Sequence, residues 1–208
     1  MLTRALILLA VVGSAPPVLA QGSEVARSKT TGFMLGLGLN GSGIQFHDDK
    51  DADDGGGATL QVGYGFTRRF TGMIDVSGAW LRGDPGEGEV SLAQVFLAGR
   101  AHFWKPAARW IPFLDLGLGA RRRDQNDAQV CSPGGCAPRD ITVSGRAWMF
   151  GGGASFYATP GLAITTGLNW AYGEFTDKKT DNVMVSGYEA DATTFRVNVG
   201  ITWFPHHP

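Results

Sequence analysis

The C-terminal segment of the chain alternates apolar and polar side chains with a period of two residues. Between Thr193 and Phe204, every second position is polar or glycine. The apolar positions between them are Phe195, Val197, Val199, Ile201 and Trp203. Because successive side chains of a strand point to opposite faces, this pattern predicts a β-strand with one apolar face.

Seven earlier segments repeat this period, so that the sequence predicts eight strands. The seven segments are residues 32–46, 58–67, 72–81, 90–104, 111–121, 142–157 and 162–173. The sixth is the least regular, because three glycines at 151–153 interrupt it and Arg146 shares its parity with Trp148 and Phe150. Eight amphipathic strands predict an all-β fold, a closed antiparallel up-and-down barrel.

The connections between these strands alternate in length. Short turns are predicted at residues 68–69, 105–109 and 158–161, and longer polar loops at 47–57, 82–89, 122–141 and 174–191. Barrels of the bacterial outer membrane have short periplasmic turns and longer external loops. We therefore expect the chain to begin and end on the periplasmic side, with the aromatic residues beside the short turns forming a girdle at the membrane boundary.

The polar face of the strands indicates where the apolar face points. It is rich in small residues and contains few charges, whereas a water-facing surface is about a quarter to a third charged. The charged positions on this face are Asp75, Arg100, Asp115, Arg146 and Arg196. We expect these five in the lumen of a transmembrane barrel as an ion-pair network, the alternative being that some lie near strand ends and meet water. A soluble lipocalin-like barrel binding an apolar ligand is the alternative fold.

The N-terminus has the composition of a secretory signal peptide. Arg4 precedes an apolar run at residues 5–12, and Val18-Leu19-Ala20 forms a small-residue processing site. Cleavage after Ala20 leaves 188 of the 208 residues, enough for one domain. We predict a short periplasmic segment at 21–31, the barrel at 32–204, a tail at 205–208, and a location in the outer membrane.

The charge of the chain excludes some classes of partner. Without the signal peptide, 17 basic residues stand against 19 acidic ones, so no general attraction to nucleic acid is expected. The mature part contains no run of eighteen apolar residues, which excludes a membrane helix. No cofactor is expected, and the sequence does not identify an external partner.

Two cysteines close a six-residue segment in the longest predicted loop. Cys131 and Cys136 are the only cysteines of an exported chain and enclose a turn-forming Pro-Gly-Gly sequence. A local disulfide is therefore favoured. A metal site or a redox pair is disfavoured, because closer spacing, further ligands or a supporting helix would be needed.

The first long loop is acidic. Asp49, Asp51 and Asp53 have the alternate spacing of calcium ligands, but Asp54 stands where a calcium loop needs glycine, and no closing glutamate follows. A solvated acidic tip is the favoured interpretation, so no metal site is predicted.

Three consecutive arginines stand at the end of the fifth predicted strand. If Arg121, Arg122 and Arg123 lie where this strand leaves the membrane, their guanidinium groups could hold lipopolysaccharide phosphates. The alternative is that they only keep a loop soluble.

Catalytic signals are sparse. His102 lies near the periplasmic end of the fourth strand, and His47 is the only histidine near the outer rim. No nucleophile elbow or His-Ser pairing indicates acyl transfer. We therefore predict a protein that is not an enzyme.

Taken together, residues 32–204 resemble the eight-stranded outer-membrane barrels related to the transmembrane part of outer membrane protein A and to outer membrane protein X. The resemblance rests on the signal peptide, the eight strands, the alternating connections and the aromatic end of the last strand. It implies a lumen filled by side chains, lipopolysaccharide neighbours, insertion by the barrel-assembly machinery, and a role in envelope integrity, adhesion or host contact. Such a barrel leaves little room for a pore.

The sequence differs from these barrels in two respects, and one alternative function is compatible with the same strand number. The in-phase terminal aromatic is Trp203 and is followed by five further residues, and the sequence contains no peptidoglycan-binding domain like that of outer membrane protein A. The alternative is a lipid-modifying barrel similar to lipid A deacylases or palmitoyl transferases. It needs a histidine together with a serine or carboxylate near the outer rim.

Overall fold

The computed structural model describes residues 30–47, 52–82, 88–103, 108–132, 135–181 and 183–205. They form nine strands: β1 Gly32–Phe46, β2 Ala52–Gly65, β3 Phe70–Arg82, β4 Glu89–His102, β5 Trp110–Ser132, β6 Gly135–Thr159, β7 Leu162–Thr180, β8 Val183–Val185 and β9 Ala190–Trp203. No helix within these ranges is long and apolar enough to cross a membrane.

Eight of the strands close into a ring. Each pairs antiparallel with the next along the chain, and β9 pairs with both β7 and β1, which joins the last strand to the first. The short β8 pairs only with the end of β7. A closed ring leaves no open sheet edge, as a hydrocarbon environment requires. The predicted closed eight-stranded antiparallel barrel is confirmed.

The apolar side chains of the ring point outward. The most exposed leucines are Leu37, Leu39, Leu97, Leu116 and Leu118, at 60 to 74% of their full accessibility. The polar parity points into the lumen, where Asp75, Asp115 and Arg196 are buried. A lipocalin-like barrel would have the opposite arrangement, with apolar side chains inside and polar ones outside, so that alternative is wrong.

Aromatic side chains mark both ends of this outward apolar band. At the short-turn end the exposed rings are Phe66, Phe70, Phe103, Trp110 and Trp203, and at the other end they are Trp80, Trp148 and Tyr172. Amphipathic rings prefer the boundary between hydrocarbon and water. The two sets therefore delimit the membrane-spanning part of the barrel.

Several strands are longer at the outer end than the hydropathy pattern predicts. The predicted loops at 47–57, 122–141 and 174–191 were largely wrong, because most of their residues extend β2, β5, β6 and β7 or form β8. An apolar cluster inside the upper lumen supports these extensions. Its buried members are Ile44, Ala79, Leu81, Val90, Leu92, Val143, Phe175 and Ala192. Above the membrane the outward face of β5, β6 and β7 becomes polar, so the alternation that marks a strand in lipid disappears although these strands continue.

Candidate functional site

The central lumen contains an ion pair between Arg196 of β9 and Asp75 of β3. The distance from Arg196 Nη1 to Asp75 Oδ1 is 2.7 Å, and both side chains are almost fully buried. Gln61 Nε2 donates a second hydrogen bond of 2.7 Å to Asp75 Oδ2, and Arg196 also donates to the Ser77 hydroxyl. Both carboxylate oxygens are therefore occupied, as a buried charge requires.

A second buried ion pair joins β4 and β5. Arg100 donates from Nε and Nη2 to the two carboxylate oxygens of Asp115, at 2.8 and 2.9 Å. The guanidinium carbon lies 3.8 Å from the ring centre of Phe113. This two-point geometry is the strong form of an arginine–carboxylate interaction, and the ring covers one face of the cation.

The fifth predicted member of the lumen network is placed elsewhere. Arg146 is exposed on the outer face of β6, on the same side as Trp148 and Phe150, while Ala147 is buried. Its expected position in the lumen was wrong. The two-residue period of β6 fixes its direction regardless of its charge, and a long side chain above Trp148 can reach the membrane boundary.

The three consecutive arginines do not share a face, because β5 continues through them. Arg121 points into the lumen and is 1% exposed. Its guanidinium donates to the carbonyl oxygens of Ala171, Gly173 and Ala192, at 3.3, 2.8 and 3.1 Å. It therefore links β5 to β7 and β9 across the barrel and cannot contact a lipid phosphate.

The other two arginines have carboxylate partners. Arg122 points outward and makes an exposed ion pair of 2.8 Å with Asp124. Arg123 points inward, and its Nη2 lies 2.8 Å from Asp53 Oδ2 of β2. The prediction of one lipopolysaccharide clamp formed by all three arginines was wrong, and Arg122 alone keeps an outward position.

The acidic first loop is only partly described. Asp49 and Asp51 lie outside the described residues, and the Asp53 carboxylate is paired with Arg123. No group of three potential metal ligands occurs among the residues that the structure covers. One of the three carboxylates proposed as calcium ligands is therefore already paired with a guanidinium group.

A β-hairpin continues the barrel wall beyond its outer rim. The β5–β6 ladder runs from Arg121 opposite Gly145 to Ser132 opposite Gly135, with one irregularity between Gln125 and Ala128. These pairs correspond to a strand length on the order of 35 Å. The backbone places Cys131 directly opposite Cys136, and their side chains lie outside the described atoms.

Polar contacts brace this hairpin against β7. Arg139 makes an ion pair of 3.0 Å with Asp181 at the end of β7. The Asp140 amide donates to Asp181 Oδ1 at 3.1 Å, and the Asp181 amide donates to the Asp140 carbonyl. The hairpin, β7 and β8 therefore form one braced platform.

Asp124 lies at the base of this hairpin. Burial acts to raise the pKa of Asp124, but hydrogen bonds from Arg122 and Thr142 outweigh it and lower the pKa below its usual range.

The platform and the outer rim carry an excess of negative charge in the described ranges. The acidic side chains are Asp53, Asp54, Glu89, Asp124, Asp127, Asp140, Glu174, Asp177, Asp181, Glu189 and Asp191. The basic ones are Arg82, Arg122, Arg123, Arg139, Arg146, Lys178 and Lys179. Eleven carboxylates against seven cations give this part of the described chain a net negative charge.

The histidines of the strands and turns lie at opposite ends of the barrel. His47 follows β1 at the outer end, where its amide donates to the Asp191 carbonyl. His102 is buried near the periplasmic end, with Nε2 3.1 Å from Thr71 Oγ1. His102 is therefore an interior side chain with a hydroxyl partner, as its position in the sequence suggested.

These features define a class: a closed barrel with a lipid-facing exterior, a lumen filled by side chains and an extended outer rim. The chain matches the outer membrane protein beta-barrel domain over residues 5–203. It belongs to this family of the bacterial outer membrane. No curated protein matches the sequence significantly.

Solved structures of low sequence identity share the fold. Neisserial surface protein A is 13% identical, with a TM-score of 0.63 over 83% of this chain and 97% of that one. OprG from Pseudomonas aeruginosa is 10% identical, with a TM-score of 0.52 over 86% and 99%. Ail, the attachment invasion locus protein of Yersinia pestis, is 16% identical, with a TM-score of 0.51 over 83% and 99%.

Proposed function

We propose that this protein is a non-enzymatic display barrel, in which the β5–β6 hairpin and the braced end of β7 form a contact surface outside the cell. The observation that carries the proposal is the extension of the β5–β6 ladder above the aromatic boundary, as far as the pair of Ser132 and Gly135. A hairpin tied to β7 by Arg139, Asp140 and Asp181 is already ordered before binding, which lowers the entropy cost of association.

The lumen gives little support to a transport role. In the described barrel, buried side chains fill it in successive clusters, with Met34, Met73 and Phe96 in one and Leu81, Leu92 and Phe175 in the next. Arg121 spans the lumen between β5 and the β7–β9 pair. An eight-stranded barrel has an interior just wide enough for such side chains, so the outer surface is the better candidate for function.

The charge of the outer end points to a partner with a basic surface. Ail, which shares the fold, has also been solved with the heparin analogue sucrose octasulfate. In the present protein a polyanion would meet the excess carboxylates of the outer rim. We therefore propose attachment to a cationic surface rather than to a sulfated polysaccharide.

Deleting the hairpin tests this function. We expect cells that carry a variant with residues 126–140 replaced by Asn-Gly, between the paired Gln125 and Ile141, to lose at least about fivefold in retention on polylysine-coated and matrix-protein-coated surfaces. The two new residues favour a tight turn, and the membrane-spanning ladder below residue 122 is retained. Retention is measured by counting cells after washing, relative to cells without the protein.

Heparin-coated surfaces serve as the control for charge, and neither strain is expected to bind them above background. A charge-neutral variant of the hairpin base, R122Q/D124N, removes one exposed ion pair without shortening the hairpin and should attach normally. If the deletion variant folds, as judged by a heat-dependent shift on a denaturing gel, yet attaches like the parent, the contact surface proposed here is wrong.

The alternative of a lipid-modifying enzyme has its own test. Such activity needs a histidine with a serine or carboxylate near the outer rim. His102 is at the opposite end of the barrel, against Thr71, and His47, at the outer end, is held through its backbone amide on the Asp191 carbonyl. We expect mass spectra of lipid A to be the same from cells with and without the protein. A change in acyl chain number would favour the enzyme and exclude the display function as the whole role.

A disulfide between Cys131 and Cys136 is part of the proposal. Directly opposed residues of an antiparallel pair have Cα atoms about 4.5–5.5 Å apart, within the range that a disulfide spans. We expect the purified protein to take up no alkylating reagent before reduction and two equivalents after it, as measured by intact mass. Uptake without reduction would show free thiols.

We also propose, from the sequence, how the protein is exported and inserted into the membrane. Processing after Ala20 predicts that the membrane-bound protein begins at Gln21, and the intact mass checks it. Insertion by the barrel-assembly machinery is consistent with Trp203 ending β9. Lipopolysaccharide would meet the outward Arg122 and Arg146 near the outer aromatic boundary.

A further inference from the structure

The two ends of the barrel carry opposite charge. At the short-turn end, Arg68, Arg69 and Arg109 are present, and the described residues there contain no carboxylate; the ranges are 30–32, 66–70, 108–110, 158–162 and 203–205. The described outer end has the excess of acidic residues given above. The charge is therefore segregated along the barrel axis.

Aromatic rings place this basic end at a definite depth. Arg69 lies in the β2–β3 turn between Phe66 and Phe70, and Arg109 directly precedes Trp110. The three rings are 59 to 70% exposed on the outward face. Because such rings settle at the level of lipid headgroups, the adjacent arginines lie at the level of the phosphates of the periplasmic leaflet.

Backbone hydrogen bonds hold Arg69 and Arg109 on neighbouring turns. The His102 amide, at the end of β4, donates to the Arg69 carbonyl at 2.7 Å. The Tyr157 amide, near the end of β6, donates to the Arg109 carbonyl at 2.9 Å. Since β3, β4, β5 and β6 are consecutive in the ring, both arginines occupy the same arc of the rim.

The turn that presents Arg69 is itself fixed. Thr67 Oγ1 accepts hydrogen bonds from the amides of Arg69 and Phe70, each at 3.1 Å. A side-chain cap of this kind holds the tight turn in one conformation. The position of the Arg69 backbone is therefore set before any ligand binds.

We propose that Arg69 and Arg109 form a binding surface for the headgroups of anionic phospholipids in the periplasmic leaflet. Guanidinium groups bind phosphate oxygens by paired, charge-assisted hydrogen bonds. A zwitterionic headgroup adds its own cation, which a basic arc disfavours, whereas an anionic headgroup such as that of phosphatidylglycerol adds none. A basic side chain at a membrane surface increases binding to anionic lipid about fivefold.

Native mass spectrometry of the folded barrel tests this surface. The protein is held in a neutral detergent with equal amounts of phosphatidylglycerol and phosphatidylcholine, and the ratio of the two bound lipids is measured. We expect the wild type to retain more phosphatidylglycerol, and R69Q/R109Q to lower the ratio at least about fivefold. A wild type without preference would overturn the proposal.

The matched control removes the same charge from the other end. Arg82 and Lys179 are exposed at the outer end, and R82Q/K179Q should leave the lipid ratio unchanged. An equal fall in both double variants would mean that only net charge matters, which contradicts a local surface. Added inorganic phosphate at constant ionic strength should not displace the lipid; displacement would assign the arc to free phosphate instead.

Folding of each variant is checked by its heat-dependent gel shift. If R69Q/R109Q does not fold, the single variant R109Q is measured in its place. That substitution keeps the carbonyl that accepts from Tyr157, and the expected fall in the lipid ratio is then about two- to fivefold. An unchanged ratio would overturn the proposal.

Discussion

Replacing Arg196 by methionine is expected to lower the free energy of unfolding of the barrel by about 3–5 kcal/mol. The substitution leaves the Asp75 carboxylate buried, with Gln61 as its remaining hydrogen-bond donor. A buried charge without its counter-charge cannot recover its lost hydration. Urea unfolding of the protein in lipid vesicles, followed by the gel shift, measures the effect.

The double variant D75L/R196M separates pairing from packing. Removing both charges leaves no uncompensated ion, so we expect most of the lost stability to return. Arg121 supplies a matched contrast, because its partners are carbonyl groups of β7 and β9 rather than a carboxylate. R121M should therefore cost less than R196M. An R196M variant as stable as the wild type would show that the lumen pair is not required.

The second large effect is expected from a glycine in β2. A Cβ atom on Gly57 would overlap the carbonyl oxygen of Gly78 in the neighbouring strand. Because backbone cannot rotate away as a side chain can, Gly57→Ala must displace β3 and should cost about 1–3 kcal/mol or more. The same urea titration in vesicles measures the loss.

Gly78 is the matched control in the adjacent strand. A Cβ atom there meets nothing within 4 Å, and alanine in a strand loses less conformational entropy on folding than glycine. Gly78→Ala should therefore be neutral or slightly stabilising. Equal effects of the two substitutions would contradict the close approach of β2 and β3 at Gly57.

Much of the fold could be predicted because lipid imposes a simple rule on each strand. Outward positions in hydrocarbon must be apolar, and a two-residue period then marks strands directly, as it does for β9. The same rule located Asp75, Arg100, Asp115 and Arg196 on the lumen side. The alternating short and long connections separately predict which end faces the periplasm.

The two-residue pattern fails to mark strands outside the membrane, because only lipid requires the outward positions of a strand to be apolar. Above the aromatic boundary, water replaces lipid outside the barrel, so polar residues can point either way, and the sequence pattern predicts a strand end at Arg121 and a loop from Arg122. The structure continues β5 through Arg121, Arg122 and Arg123, which separates them onto two faces. The polar outer face hid the strand, while the apolar cluster that supports it lies inside, distributed among residues distant in sequence.

The sequence by itself determined the eight strands of the ring, the lipid-facing side and the candidate members of the lumen network. Only the tertiary structure decided the partners: Asp75 with Arg196, 121 residues apart, Asp53 with Arg123, and Arg146 outside the lumen. Periodicity is a local property of one strand, and it fixes the face of a side chain. Partners across the lumen depend on the register of all eight strands, which is settled only when the ring closes.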